Sequence, residues 1–204
     1  MRPKITAKRA RREGINLDGR EKIARILAKR PYAPGVHGPT SRTRMTDFGK
    51  SLREKQKARW IYGLNEKQFG NLFKEASKKR GDTGLMLLSL LESRLDNVVF
   101  RAGFVKTRAA ARQAVGHAQF DVNGKKVNIP SYRVKSGDVI RVRETKRGKG
   151  LWKGLDEALK NRAASSWLTV DAKELAIKVT GSPTEDELKQ QPFDTKQIVE
   201  FYSR

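Results

Sequence analysis

The sequence predicts an α+β protein. A helical domain preceded by an extended basic N-terminal segment leads into a module of short helices and an antiparallel sheet. Three observations carry this. Between residues 49 and 90 apolar residues recur at helical spacing, as in Phe69, Leu72, Phe73 and Ala76 at i, i+3, i+4 and i+7. From Arg94 to Arg143 two short helical patterns give way to the hairpin signal Asn123-Gly124 and the turn Lys135-Ser136-Gly137-Asp138. Residues 1–48 are basic and poor in large apolar side chains. The expected organisation is therefore an N-terminal segment 1–48, a helical domain 49–90 joined by the tail 182–204, and a module 91–181 with its core at 94–143.

Met1–Arg30 includes Arg2, Lys4, Lys8, Arg9, Arg11, Arg12, Arg20, Lys22, Arg25, Lys29 and Arg30. Such a segment orders on its partner rather than on itself. The run from Arg30 to Pro39, rich in Pro and Gly and carrying Tyr32 and His37, reads as an extended loop. Residues 49–62 read as a helix with a partial apolar stripe of Leu52, Trp60 and Ile61, ended by Gly63. Asn65, with Gln68 three residues on, is a capping-box start for the next helix. The spacing of Phe69 and Phe73 assigns them to packing rather than to base stacking. Tyr62, at a helix end beside a glycine, is the better candidate for a nucleic-acid contact. Asp82 can cap a third helix through Leu85, Leu87, Leu88, Leu90 and Leu91, apolar on more than one face and so a buried link.

In the module, helical patterns cover Leu91–Ala102 and Arg108–Gly116, with Thr107 placed to cap the second. Strands are expected at Gln119–Val122, Lys125–Ile129 and Val139–Arg143. A basic, glycine-bearing loop from Glu144 through Lys149 to Gly150 follows. Residues 151–166 then read as helix with Leu155 and Leu159 inward, and strands at Trp167–Asp171 and Ala176–Thr180 extend the sheet. Glu185, Asp186 and Glu187 suit the first turn of a short helix. The end of the chain, Gln197–Arg204, is apolar enough to dock back on the helical domain.

Charge narrows the function. The 204 residues carry 45 Lys and Arg against 22 Asp and Glu, a net charge of +23. The pI is about 10.6 and the mean hydropathy −0.70. Self-repulsion of this size calls for a polyanion, and nucleic acid fits better than a membrane surface because no strongly amphipathic stretch carries aromatic anchors. The chain has no cysteine, which excludes disulfides and thiolate zinc sites, and its two histidines, His37 and His117, lie far apart. No metal or cofactor is expected. With no signal-peptide core and no run of transmembrane length, the cytoplasm is the expected location. No phosphate loop or nucleophile–base constellation is present, and Glu185 and Asp186 are mere neighbours.

Arg108 and Arg112, four apart, share a helix face; Lys106 precedes that helix and His117 follows it. The result is a basic ridge on a compact frame. The run Thr107-Arg108-x-x-Ala111-Arg112-Gln113-x-Val115-x-His117, with Val122-Asn123-Gly124 and Gly137-Asp138, resembles the S-four RNA-binding domain. That domain occurs in several kinds of protein and does not by itself settle function.

Further stretches resemble the bacterial small-subunit ribosomal protein S-four family from end to end. They are Lys29–Gly35 with His37-Gly38-Pro39, Glu54–Lys57 leading into Tyr62-Gly63-Leu64-x-Glu66-x-Gln68-Phe69, Ser93–Val99, and Ile198–Arg204. The resemblance implies a structural, non-enzymatic protein that binds 16S rRNA at a helix junction of the 5′ domain and nucleates assembly of the subunit body. It also implies contact with ribosomal protein S-five and other small-subunit proteins, an influence on decoding accuracy, proximity to the incoming mRNA, and in some members repression of the protein's own operon. Many members bind zinc through four N-terminal cysteines. This chain has none, which leaves RNA as the expected support of its N-terminal segment. The motif match assigns RNA contact to Lys55, Lys57, Tyr62, Thr107, Arg108, Arg112 and His117; charge and position add Arg9, Arg11, Arg12 and Arg30.

Two rivals differ in kind. A pseudouridine synthase would use an Arg-Leu-Asp element like Arg94-Leu95-Asp96, but no sequence remains for a large catalytic domain, so Asp96 is expected to pair with an arginine or cap a backbone group. A free-standing RNA chaperone would need neither the long N-terminal segment nor the closing tail.

Overall fold

The structure, a computed structural model, describes residues 5–40, 44–148, 150–152, 154–160 and 165–203. Arg2, Lys4, Lys149, Arg204 and residues 161–164 of the expected 151–166 helix lie outside them. In chain order the elements are α1 (Ala7–Glu13), α2 (Glu21–Lys29), α3 (Asp47–Ile61), α4 (Glu66–Ala76), α5 (Thr83–Glu92), α6 (Leu95–Arg101), α7 (Arg108–Gly116), β1 (Phe120–Val122), β2 (Lys125–Val127), β3 (Val139–Val142), α8 (Glu144–Arg147), α9 (Leu155–Lys160), β4 (Leu168–Asp171), β5 (Ala176–Val179), α10 (Glu185–Lys189) and α11 (Thr195–Ser203). They divide into two compact units, Met1–Leu87 with Gln190–Arg204, and Leu88–Lys189.

The first unit is helical. Its basic N-terminal part carries two short helices, α1 and α2. Thr6 caps α1 by accepting from the Arg9 N–H, and Gly14, at φ 70°, ends it. The few apolar residues of the segment are well used: Ala10, Leu17 and Ile23 are buried. The arginines find acceptors within the unit. Arg11 donates to the carbonyls of Arg30, Tyr32 and Ala33 at 3.1–3.3 Å. Arg53 reaches the Glu13 carboxylate at 2.8 Å. Arg9 lies over the Trp60 ring at 5.2 Å. Intramolecular contacts thus hold the described part of this segment.

In α3 the buried stripe is Ser51, Lys55, Ala58 and Ile61, whereas Leu52 and Trp60 are half-exposed. Apolar spacing misjudged this helix because a serine and a lysine sit on its inner face. Ser51 folds its hydroxyl onto the Asp47 carbonyl at 2.9 Å, and α11 packs along α3. The capping box of α4 forms: Asn65 Oδ1 accepts from Gln68 N–H at 2.8 Å, and Gln68 Oε1 accepts from Asn65 N–H at 3.3 Å. Asp82 caps α5 through the N–H groups of Gly84 and Leu85, at 2.7 and 3.2 Å.

The second unit holds one antiparallel sheet in the order β2-β1-β3-β5-β4. Asn123 and Gly124 both take positive φ, 51° and 76°, which gives the tight β1–β2 turn. Alternation sends Phe120, Val122, Ile140, Val142, Ile177 and Val179 to one face, where they share a core with Leu95, Val98 and Val99 of α6 and Ala111, Ala114 and Val115 of α7. Trp152 closes it against Phe104 and Phe120, with ring centroids at 6.2 and 5.4 Å, and donates to Gln119 Oε1 at 2.8 Å. Removing a fully buried ring such as Phe120 would cost about 3–5 kcal/mol. The Leu91–Ala102 pattern is not one helix. Arg94 adopts extended backbone and bridges to Arg133, so α5 stops at Glu92 and α6 starts at Leu95.

Candidate nucleic-acid interface

The basic ridge stands on α6 and α7. Thr107 accepts from the Ala110 N–H at 3.2 Å and fixes the start of α7, so Arg108 and Arg112 leave the same face. Beneath them lie two buried carboxylates. Asp96 takes a two-pronged bond from Arg94, at 3.1 and 3.0 Å, and a further pair from Arg112, at 2.8 and 2.6 Å. Glu92 takes another two-pronged bond from Arg101, at 2.9 and 2.7 Å, and approaches Arg108 at 3.9 Å. Asn97 ties Arg108 to Glu92: its amide nitrogen donates to the Glu92 carboxylate and its oxygen accepts from Arg108 Nε at 2.7 Å. Arg108 also lies over the Phe100 ring at 4.4 Å.

This arrangement does two things. The carboxylates and Asn97 lock long side chains into single rotamers before any ligand arrives, which lowers the entropy lost on binding. Four guanidiniums share two carboxylates, so the cluster keeps an excess of positive charge. The carboxylate side chains are only 3% and 5% exposed, whereas Arg101, Arg108 and Arg112 are 29%, 18% and 12% exposed. Positive charge therefore faces outward, in forked donors that suit phosphate oxygens. Lys106 and His117 are exposed at the two ends of α7. Asp96 has the arginine-pairing role expected of it. Sequence reasoning missed Glu92, Arg94, Asn97 and Arg101. A usable signal was two acidic residues, Glu92 and Asp96, set among Arg94 and Arg101 at the end of an apolar run.

The first unit distributes its candidates differently. Lys55 is buried, bonded to Glu66 at 2.7 Å and placed over the Phe201 ring at 4.2 Å. Tyr62 is only 2% exposed and lies edge-on to Phe193 at 6.4 Å, because the turn at Gly63 folds it under the helix end. Both side chains are buried and partnered within the unit. Lys57 binds Glu54 at 2.6 Å, and Arg9 and Arg11 hold the N-terminal segment as described. Arg12 and Arg30 are exposed.

Glu66 anchors the terminal helix, accepting also from Arg59 at 2.8 Å and from the Tyr202 hydroxyl at 3.0 Å. Burial alone would raise its pKa, but Lys55, Tyr202 and Arg59 together hold it below the ordinary value. Burial, reinforced by the Glu66 charge and hydrogen bond, pushes the Tyr202 phenol upward. A zinc site does not fit this chain, which supplies no thiolate. Among the described residues no cluster of His, Asp or Glu could hold a metal, and no helix is long and apolar enough to cross a membrane.

A family model described as the ribosomal protein S4/S9 N-terminal domain matches residues 3–92, and one described as the S4 domain matches residues 93–140. The small ribosomal subunit protein uS4 of Roseiflexus castenholzii is 48% identical over 198 residues, which covers 96% of this chain and 95% of that one. The uS4 of Thermus thermophilus is 48% identical over 178 residues, 87% of this chain and 85% of its own. That of Borrelia turicatae is 42% identical over 198 residues, 97% and 95%. The two domain matches adjoin in the order of the two units, and the relatives extend over nearly the whole length: the chain belongs to the uS4 family of small ribosomal subunit proteins.

Proposed function

We propose that this chain is a structural constituent of the small ribosomal subunit, working in the cytoplasm, and that it binds 16S rRNA through the α6–α7 face. It is a binding protein, not an enzyme. The observation that carries the reading is the cluster of four arginines on two buried carboxylates, displayed by a member of a small-subunit ribosomal family. Neutralising phosphates with fixed guanidiniums supplies affinity. The rigid α6–α7 frame supplies shape selection for a folded RNA. Within that function we place the contact at a junction in the 5′ domain, where early binding would nucleate the subunit body. Thr107, Arg108, Arg112 and His117 form the ridge, and Arg12 and Arg30 add exposed charge from the N-terminal segment. Contact with incoming mRNA and repression of the protein's own operon belong to the same proposal.

The deciding experiment is binding of the full chain to a transcript of the 16S 5′ domain and to an unrelated structured RNA of equal length, across a salt series. Preference for the transcript that survives physiological salt, and that weakens in the Arg108→Ala, Arg112→Ala variant, supports the reading. Equal affinity with equal salt slopes would reduce the chain to a generic polycation. A second surface favours a protein partner, which we take to be ribosomal protein S-five. Phe48, 51% exposed, lies against Phe201 at 5.6 Å, and Met45 is exposed nearby in sequence. Phe48→Glu is expected to abolish co-sedimentation with purified S-five while leaving RNA affinity unchanged.

A further inference from the structure

The helices α6 and α7 cover one face of the sheet; the other face carries a groove of about 620 Å³ that the ridge does not use. Asp121 sits opposite both Lys126 and Arg141 in the strand register, on the face away from the core residues Phe120, Val122 and Ile140. Arg143 and Arg147, at the start and end of α8, complete the basic lining, and Glu144 adds a second acidic group.

These cations are held unlike those of the ridge. Arg147 donates to the backbone carbonyls of Glu174, at 2.7 Å, and Val142, at 3.4 Å. Arg143 donates to the Ala118 carbonyl at 3.3 Å. Neutral acceptors fix these guanidiniums without cancelling their charge. Arg141 meets Glu174 at 3.5 Å, but both side chains are more than half exposed, so that pair is weak and exchangeable. Lys178, beside Val139 in the register and exposed, extends the basic surface toward β5. Among the described residues no aromatic side chain lines the groove, so it offers no platform for bases.

We propose that this groove is a second RNA-binding surface, which takes the phosphodiester backbone of an RNA segment other than the one held by α6 and α7. The second unit would then join two RNA segments from opposite faces of one sheet. The groove would contribute register and affinity but no sequence preference. The proposal rests on the RNA-binding reading above.

The test uses the full chain and the 16S 5′-domain transcript, with hydroxyl-radical footprinting and a salt series. The groove variant is Lys126→Gln with Arg141→Gln, both exposed residues; thermal unfolding checks that its fold is unchanged. The ridge variant is Arg108→Ala with Arg112→Ala. The groove variant is expected to lose protection of one RNA segment and keep the other. Its log–log salt slope should fall by roughly 1–2, at about 0.7–0.9 per phosphate contact. The ridge variant is expected to lose the complementary segment. An unchanged slope and footprint in the folded groove variant overturns the second surface and leaves the first intact. Loss of the same segment by both variants overturns it too, since that describes one site. If the wild-type chain shows no preference for the transcript, the RNA-binding reading itself fails.

Discussion

Each unit of this molecule contains a buried ion-pair cluster, and the two are built with opposite polarity. In the first unit the cation is hidden: the Lys55 side chain is 6% exposed and its partner Glu66 48%. In the second unit the anions are hidden, with Glu92 and Asp96 at 3% and 5%, and the arginines occupy the outer side. The first cluster holds its positive charge against Phe201 and Glu66, which fastens the terminal helix α11. The second displays positive charge on a fixed frame. Whether a basic residue is hidden or displayed is therefore decided by which partner is buried, which residue type alone does not state.

The largest effect expected from breaking this contrast is at Asp96. Asp96→Ala leaves the buried Arg94 without its carboxylate, which is expected to cost about 3–5 kcal/mol in urea unfolding. The variant also gains a unit of positive charge. If fixed geometry matters more than charge count, its affinity for the 5′-domain transcript falls in spite of that gain, measured at a temperature where the variant remains folded. A rise in affinity would show that the buried carboxylates merely subtract from a polycation.

Next is Lys55, which tests the other polarity. Lys55→Ala is expected to cost about 1–3 kcal/mol by removing a packed stem and a partner of Glu66, while RNA affinity stays within twofold of wild type. A tenfold loss of affinity in a correctly folded Lys55→Ala protein would restore Lys55 to the RNA surface and end the contrast. A smaller effect, about 1 kcal/mol each, is expected for Asn65→Ala and Thr107→Ala, which remove helix caps in the first and second unit. Only Thr107→Ala should also weaken RNA binding, because only that cap sets the angle of a ridge helix.

What could be read from the sequence follows the same division. The caps at Asn65, Asp82 and Thr107, the Asn123-Gly124 turn and the alternating strands were legible because each depends on residues a few places apart. The ridge arginines were legible for the same reason. Burial of Lys55 and Tyr62 was not, since it depends on Phe193, Phe201 and Tyr202 more than 130 positions away in the chain. Nor were α1 and α2. Composition counts eleven cations in the first thirty residues as mutual repulsion, but it cannot see that Arg11 and Arg53 tie the segment to carbonyls and to Glu13. The arginines Arg94 and Arg101 escaped notice because they become a site only when the chain breaks between α5 and α6.

The smallest expected effect is also the most selective, because it is confined to the first unit. Glu66 has a folded-state pKa below its ordinary 4.5, as Lys55, Tyr202 and Arg59 outweigh the cost of burial. A lowered carboxylate pKa stabilises the folded state fully above about pH 4.5, and that contribution is lost as pH falls through the folded value. Tyr202 is raised, so its contribution is complete below its ordinary value of 10.0 and is lost only as pH climbs through the still higher folded value. The docking of α11 is therefore secure from pH 5 through 9 and weakens on the acid side. Hydrogen exchange of the α11 amides, corrected for its intrinsic pH dependence, is expected to accelerate below pH 4.5 more than exchange in β1 and β3. Glu66→Gln should make α11 exchange faster at neutral pH and remove most of this acid limb. Tyr202→Phe, which deletes one of the three partners, should shift the limb to higher pH without abolishing it. Equal acid limbs in α11 and in the sheet, in both variants, would mean that acid unfolds the two units through carboxylates other than Glu66, and the Lys55–Glu66 cluster would then be packing without a distinct electrostatic role.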